Sequence, residues 1–255
     1  MNLLKAENIS KSFGGLKAIN DVSFEVRKAE ILALIGPNGA GKTTLLNLIT
    51  NFIKPDKGHV VFCDQSIDGK PRHTIVKLGI ARTFQTLTVF ENLTAADNII
   101  IGHSARTGLD LGSIWNVTAY HKKRQEKKES FSKVLYDLIE FVNLNKKYIN
   151  WPVNELSIID KKRVAIACAL ASEPKLLLLD EPLAGLNQTE AQEILDLMRK
   201  TKAAGTSILL IDHNLEAVMS VSDRVMVLNF GEFVCEGTPS EIICHKKVRE
   251  VYLGE

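Results

Sequence analysis

The chain of 255 residues has no excess of one charge, no paired cysteines and no long hydrophobic run. A formal net charge of +2 argues for neither a general nucleic-acid binder nor an acidic tail. The four cysteines (Cys63, Cys168, Cys235 and Cys244) are scattered without a C-x-x-C pair. That pattern disfavours a metal knuckle or a disulfide framework and reads as reduced, mostly buried thiols of a cytosolic protein. No stretch approaches the roughly 18 apolar residues of a membrane span, so any membrane role has to come through partners. The start, Met1 to Glu7, lacks the apolar core of a signal peptide. Aromatics are scarce at 6%, and repeats, low-complexity segments and dividing linkers are all missing. What remains, 45% hydrophobic and 24% charged, is ordinary globular composition. Its length suits one α/β core, or one core with a subdomain.

Against that plain background one stretch stands out. Gly36-Pro37-Asn38-Gly39-Ala40-Gly41-Lys42-Thr43 fits G-x-x-x-x-G-K-[ST]. The apolar Ile31–Ile35 before it reads as a buried strand, and Thr44 to Ile49 after it as a helix start. Glycines let the backbone curl so that its N–H groups face phosphate oxygens, and the helix N-terminus adds partial positive charge. Lys42 reaches the β- and γ-phosphates, and the Thr43 hydroxyl suits Mg²⁺. The segment from Gly36 to Thr44 is therefore a candidate nucleotide site.

Residues 3–26 read as antiparallel strands, because Val22, Phe24 and Val26 alternate with polar neighbours. Phe13-Gly14-Gly15 forms a turn between them. Asn51 to Gly58 contains helix breakers, Val60 to Phe62 reads as a strand, and Gly79 to Phe84 as another, ending at Gln85. From about 86 to 170 the pattern becomes helical. Asn92 to Ile101 is one expected helix, and residues 102–120 look irregular. A basic run through Lys127 and Lys128 leads into helical spacing at Phe131, Val134, Leu135, Leu138 and Val142; charge runs usually mark solvated faces, with a membrane-surface role as the alternative. Leu176 to Leu179 reads as a buried strand, Glu190 to Lys202 as a helix ending near Gly205, and Ser207–Ile211 and Val225 to Leu228 as strands. Asn229 to Glu232 reads as a hairpin turn into Phe233-Val234-Cys235.

Asp180-Glu181-Pro182 follows the four leucines of the buried run. A carboxylate at the end of a strand beside a phosphate loop is placed to hold Mg²⁺, which makes Asp180 the candidate. Glu181 can polarise water for attack on the γ-phosphate. His213, closing Ile211-Asp212-His213, is either structural or holds the attacking water. Gln85 could sense Mg²⁺ or water through its amide. Phe13 is either a core residue or a platform for a base.

With these motifs the chain resembles the ATP-binding subunits of ABC transporters, over nearly every residue from Leu4 to Glu255. The resembling segments are the Walker A loop at 36–43, a Q-loop at Gln85, a Walker B run ending at Asp180, Glu181, a D-loop at Ala184-Gly185-Leu186-Asn187 and a switch His213. Asn187 also reads as a helix N-cap with Glu190. The match looks closest to the branched-chain amino acid uptake type. It rests on Ala81-Arg82-Thr83-Phe84-Gln85, the segment 102–125, Ala184-Gly185-Leu186-Asn187, and the ending Glu236-Gly237-Thr238-Pro239 through Tyr252-Leu253-Gly254-Glu255. Lipopolysaccharide-exporter ATPases share that ending, and urea or amide importers also fit this branch.

The resemblance implies a P-loop NTPase of the ABC type: a RecA-like parallel core sheet, an antiparallel β subdomain and a helical subdomain at about 86–170, all in one domain, 1–255. It implies ATP and Mg²⁺ as ligands, with Thr43, Gln85 and Asp180 around the metal, Glu181, His213 and Gln85 catalytic, and Phe13 on the adenine. The implied partners are a second ATPase subunit, two transmembrane permease subunits and, indirectly, a substrate-binding protein, with no nucleic acid. The implied location is peripheral, at the cytoplasmic face of the inner or plasma membrane.

The family signature, L-S-G-G-Q or L-S-x-G-Q, is altered here to Leu156-Ser157-Ile158-Ile159-Asp160. In the family this segment contacts the γ-phosphate held by the opposite subunit. Ile159 is expected to obstruct that approach and to disfavour the turn, and Asp160 to repel phosphate. Cys168 stands where the family usually has arginine. Two readings follow: a heterodimer whose partner supplies the intact signature, or a nucleotide-gated subunit with weak or no hydrolysis. The intact Lys42, Asp180, Glu181 and His213 favour the first.

Overall fold

The computed structural model describes residues 2–83, 89–107 and 132–253. Gln85, Phe84, the basic run before 131 and Phe131 lie outside the described residues. The chain divides into two compact units, Met1–Gln85 with Lys175–Glu255, and Thr86–Pro174.

The first unit is built on two sheets. β1 (Asn2–Phe13), β2 (Leu16–Arg27), β4 (Lys57–Phe62) and β5 (Gln65–Ser66) form an antiparallel sheet in the order β2-β1-β4-β5. The alternation in β2 works as the sequence pattern requires, since Val22, Phe24 and Val26 are buried. The second sheet runs β10-β9-β3-β8-β7-β6. Its members are β3 (Ile31–Ile35), β6 (Ile80–Thr83), β7 (Leu176–Asp180), β8 (Ser207–Ile211), β9 (Arg224–Asn229) and β10 (Glu232–Gly237). β6 to β9 and β3 are parallel, and β10 returns antiparallel along β9, so the core sheet is mixed at that edge. β3, β7 and β8 are buried at every position, which is why they read as unbroken apolar runs instead of alternating ones. Burial of each of the leucines of β7 is worth roughly 1.5–3 kcal/mol.

The helices of this unit are α1 (Lys42–Ile49), α2 (Arg72–Leu78), α6 (Gln188–Ala203), α7 (Leu215–Val221), α8 (Pro239–Cys244) and α9 (Lys246–Leu253). α6 opens on a capping box: the Asn187 side chain accepts from the Glu190 N–H, and Glu190 accepts from the Asn187 N–H. α2 was not visible in the sequence, because it is short and only Ile75 on it is buried. Gly58 is not simply a helix breaker. It lies inside β4 with φ +80°, and a Cβ there would stand 2.3 Å from the Glu7 carbonyl oxygen.

The second unit holds α3 (Ala95–Thr107), α4 over residues 132–141, and α5 (Ile158–Leu170). The expected helix Asn92 to Ile101 is displaced. Thr94 and Asp97 hydrogen-bond each other's backbone or side chain at its start, so regular structure begins after Thr94. It continues through residues 102–107, which the sequence had marked as irregular because of Gly102. That glycine is a packing residue. A Cβ on it would sit 2.0 Å from the Cys168 carbonyl oxygen, so α3 and α5 meet backbone to backbone.

The thiols are less uniformly buried than the sequence implied: Cys235 is buried, Cys63 and Cys168 partly so, and Cys244 exposed. Burial pushes the Cys168 thiol up to about 11. It therefore stays protonated near neutrality, and alkylation at pH 8 followed by peptide mass mapping is expected to mark Cys244 well before Cys168. Gly102→Ala is expected to cost about 1–3 kcal/mol by overpacking, read as faster amide exchange in α3 and α5. Adding Cys168→Ala should not rescue it: that change removes the thiol contact at 2.9 Å and leaves the tighter one with the carbonyl oxygen at 2.0 Å.

Candidate functional site

The loop between β3 and α1 is shaped by backbone contacts. A Cβ on Gly36 would lie 2.2 Å from the Leu228 carbonyl oxygen, and one on Gly41 2.6 Å from that of Ala18. Gly41, at φ 97°, is the N-cap of α1 and supplies no side-chain cap, and the first turn carries no acidic residue. The amides at this helix start are thus left without side-chain acceptors, which is what an anion needs. From the far side the β9–β10 turn clamps the loop: Gly231 N–H donates to the Ala40 carbonyl at 3.0 Å, and Asn20 N–H donates to the Gly231 carbonyl at 2.8 Å.

Phe13, Leu16, Lys17 and Ala18 join Asn38 to Thr44, Glu181, His213 and Phe230 around a cleft of about 640 Å³. Phe13 is half exposed at the tip of β1, so the structure does not bury it as a core residue. Lys11 stands 5.7 Å from its ring centroid, and Asp56 fixes this tip by pairing with Lys11 and accepting the Ser12 N–H.

Lys42 is buried, and its ammonium donates to the Gly36 carbonyl at 2.7 Å and the Pro37 carbonyl at 3.0 Å. Burial lowers its pKa, and the charges of Glu181 and Asp180 oppose that fall. Asp180, closing β7, has its pKa raised by burial against the pull of Arg82, whose guanidinium lies 3.0 Å from Oδ2. Glu181 follows in a left-handed conformation, φ 51°, with its N–H donating to the Ile211 carbonyl. His213 Nε2 lies 2.8 Å from Glu181 Oε1. Strain of this kind at a carboxylate in a cleft marks functional geometry.

The structure thus brings Phe13, Gly36 to Thr44, Asp180, Glu181 and His213 together in the first unit, while Gln85 is outside the described residues. Ser157 belongs to the second unit, where it caps α5. Its Oγ accepts the Asp160 N–H and donates to Asp160 Oδ2 at 2.7 Å. This corrects the expected turn: Ile159 is a buried core residue and Ile158 is the exposed one, and neither carries a positive φ. Arg163 pairs with Asp160 at 2.8 Å.

Three residues escaped the sequence reading. Asp212 accepts from the backbone N–H groups of Leu183 and Asn214, fixing the turn after Glu181 and the residue following His213. Phe230, 80% exposed at φ 45°, lines the cleft beside the loop. Arg82 was legible only as part of a resembling segment.

A strand, a phosphate loop leading into a helix, and a carboxylate closing the next strand but one of the same sheet define a P-loop nucleotide-binding protein. Residues 19–184 match the family model described as ABC transporter, and residues 234–255 match that of the branched-chain amino acid ATP-binding cassette transporter. The chain belongs to the ABC transporter ATP-binding family. It is 37% identical over 256 residues to the high-affinity branched-chain amino acid transport ATP-binding protein LivG of Salmonella typhimurium, covering 99% of this chain and 98% of that one. It is 34% identical to BraF of Pseudomonas aeruginosa, over 99% of this chain and 98% of that protein. An ATP-binding cassette of an ABC transporter, solved in its ADP conformation, superposes with a TM-score of 0.86 at 34% identity over 100% of both chains.

The Gly231 clamp carries a prediction. A Cβ at Gly231 would stand 2.5 Å from the Ala18 carbonyl oxygen. Gly231→Ala is expected to leave the fold intact by circular dichroism and to weaken ADP binding, measured by calorimetry, because the loop loses its backing.

Proposed function

We propose that this chain is the ATP-binding, ATP-hydrolysing subunit of an ABC transporter that powers uptake of branched-chain amino acids. The observation that carries hydrolysis is the Glu181–His213 pair at 2.8 Å, in the same cleft as the phosphate loop. Substrate class rests on the names of the relatives and on the matched C-terminal segment. Urea or amide import, lipopolysaccharide export and a non-hydrolysing gate are not favoured by these matches.

In this reading the loop amides and Lys42 hold the β- and γ-phosphates, with Gly36 to Thr44 as the cradle and Phe13 against adenine. The donors fit Mg²⁺: the Thr43 hydroxyl and the Asp180 carboxylate are hard oxygens. Among the described residues no group of three or more His, Cys, Asp or Glu side chains could hold a metal. Mg²⁺ neutralises charge on the phosphates when bound, and Gln85 is a further donor toward it. Glu181 accepts a proton from the attacking water, while His213 orients that carboxylate.

The partners are a second ATPase subunit, two transmembrane permeases and, indirectly, a binding protein, with the chain peripheral at the cytoplasmic face. Among the described residues no helix is long and apolar enough to cross a membrane. An unequal partner is supported by α5. Its Asp160 N–H already donates to Ser157 Oγ, an acceptor that would compete with another subunit's γ-phosphate, and exposed Ile158 stands beside it.

In the transporter assembled with its membrane subunits, Glu181→Gln is expected to lower ATP turnover at least about a hundredfold; undiminished turnover would show that this site is not the catalytic one. Phe13→Ala should weaken ATP binding roughly three- to tenfold and leave tripolyphosphate binding unchanged. For the partner, the Glu181→Gln chain alone should stay monomeric with ATP in sedimentation, and adding Ile158→Gly and Asp160→Gln should yield ATP-dependent self-dimers. Equal dimerisation without those two changes would sink the heterodimer.

A further inference from the structure

β6 and β7 run parallel with Arg82 opposite Leu178. Asp180 lies two residues beyond Leu178 and so projects to the same face as Leu178. A long side chain on β6 can cross that diagonal, and Arg82 does so: its Nη2 lies 3.0 Å from Asp180 Oδ2, with the two side chains 5% and 2% exposed. Its Nη1 donates to Asn47 Oδ1 on α1 at 2.7 Å and stands 3.5 Å from Thr50 Oγ1. The Phe52 ring lies 5.9 Å from the same guanidinium and stacks with Arg72 at 4.4 Å. Asn47 is four residues after Thr43, one helical turn along the same face of α1.

One planar cation therefore fastens both elements that carry the oxygen donors, β7 through Asp180 and α1 through Asn47. On the carboxylate it engages Oδ2. We propose that Arg82 is the positioning residue of the magnesium site, setting the orientation of Asp180 and its separation from Thr43. The assignment rests on the reading of Asp180 and Thr43 as magnesium donors. Lysine is a poor substitute, because an ammonium cannot present two directed forks to Asp180 and Asn47 at once.

The test uses the full chain and calorimetric ADP binding, titrated with Mg²⁺ and repeated in EDTA. Arg82→Lys is expected to raise the Mg²⁺ concentration needed for half-maximal tightening about tenfold, as for other residues that orient a metal ligand. ADP affinity in EDTA should stay within about twofold, since the loop amides are untouched. Asn47→Ala, at a half-buried position, removes only the α1 end of the tie and should raise the Mg²⁺ requirement in the same direction by a smaller factor; it decides the matter if Arg82→Lys does not fold. An unchanged Mg²⁺ requirement in these variants, or an equal loss of ADP affinity with and without Mg²⁺, overturns the assignment and leaves the nucleotide site standing. ADP binding by the parent chain that ignores Mg²⁺ overturns the magnesium reading and this assignment with it.

Discussion

The phosphate loop is backed by main chain, with Lys42 the side chain that ties its carbonyls, and the rest of the nucleotide site is arranged around that constraint. Leu228 and Ala18 press their carbonyls against Gly36 and Gly41 at distances where no Cβ fits. Gly231 then joins the two sheets, donating to Ala40 and accepting from Asn20. Backbone supports the loop from behind, and no side chain caps the amides at the start of α1.

The charges are arranged on the same logic. A buried ion without a partner is costly, and here Asp180 feels the charges of both Arg82 and Lys42. Lys42 rests on two loop carbonyls, and Asp180 rests on Arg82. Asp212 is spent wholly on backbone N–H groups, which leaves Glu181 to face the cleft beside His213. Directed partners on the protein side thus orient each functional group toward the nucleotide.

Much of this was legible in the sequence, and the limits have physical reasons. β3, β7 and β8 announce themselves because strands buried on both faces need unbroken apolar runs, and the loop is written in its glycines. Arg82 is invisible to the same reading, since its meaning depends on the β6–β7 register, which no local pattern encodes. Gly102 signals irregularity locally yet serves a helix crossing with Cys168. The signature residues Ile158 and Ile159 look equivalent in sequence, but helix phase sends one to solvent and the other to the core. Phe230 is unremarked for a similar reason: a turn predicted from Asn229 to Glu232 does not say that its aromatic side chain opens on the nucleotide cleft.

The turn at Gly231 also sets where the chain tolerates changes of length. One residue there satisfies two distant backbone groups, so an insertion between Phe230 and Glu232 would disengage both sheets from the loop at once. At Gly69, by contrast, nothing lies within 4 Å of where a side chain would start. Exposed tips of that kind absorb added residues readily. Peptide insertions and circular permutants therefore belong at Gly69, and the β9–β10 hairpin has a fixed length.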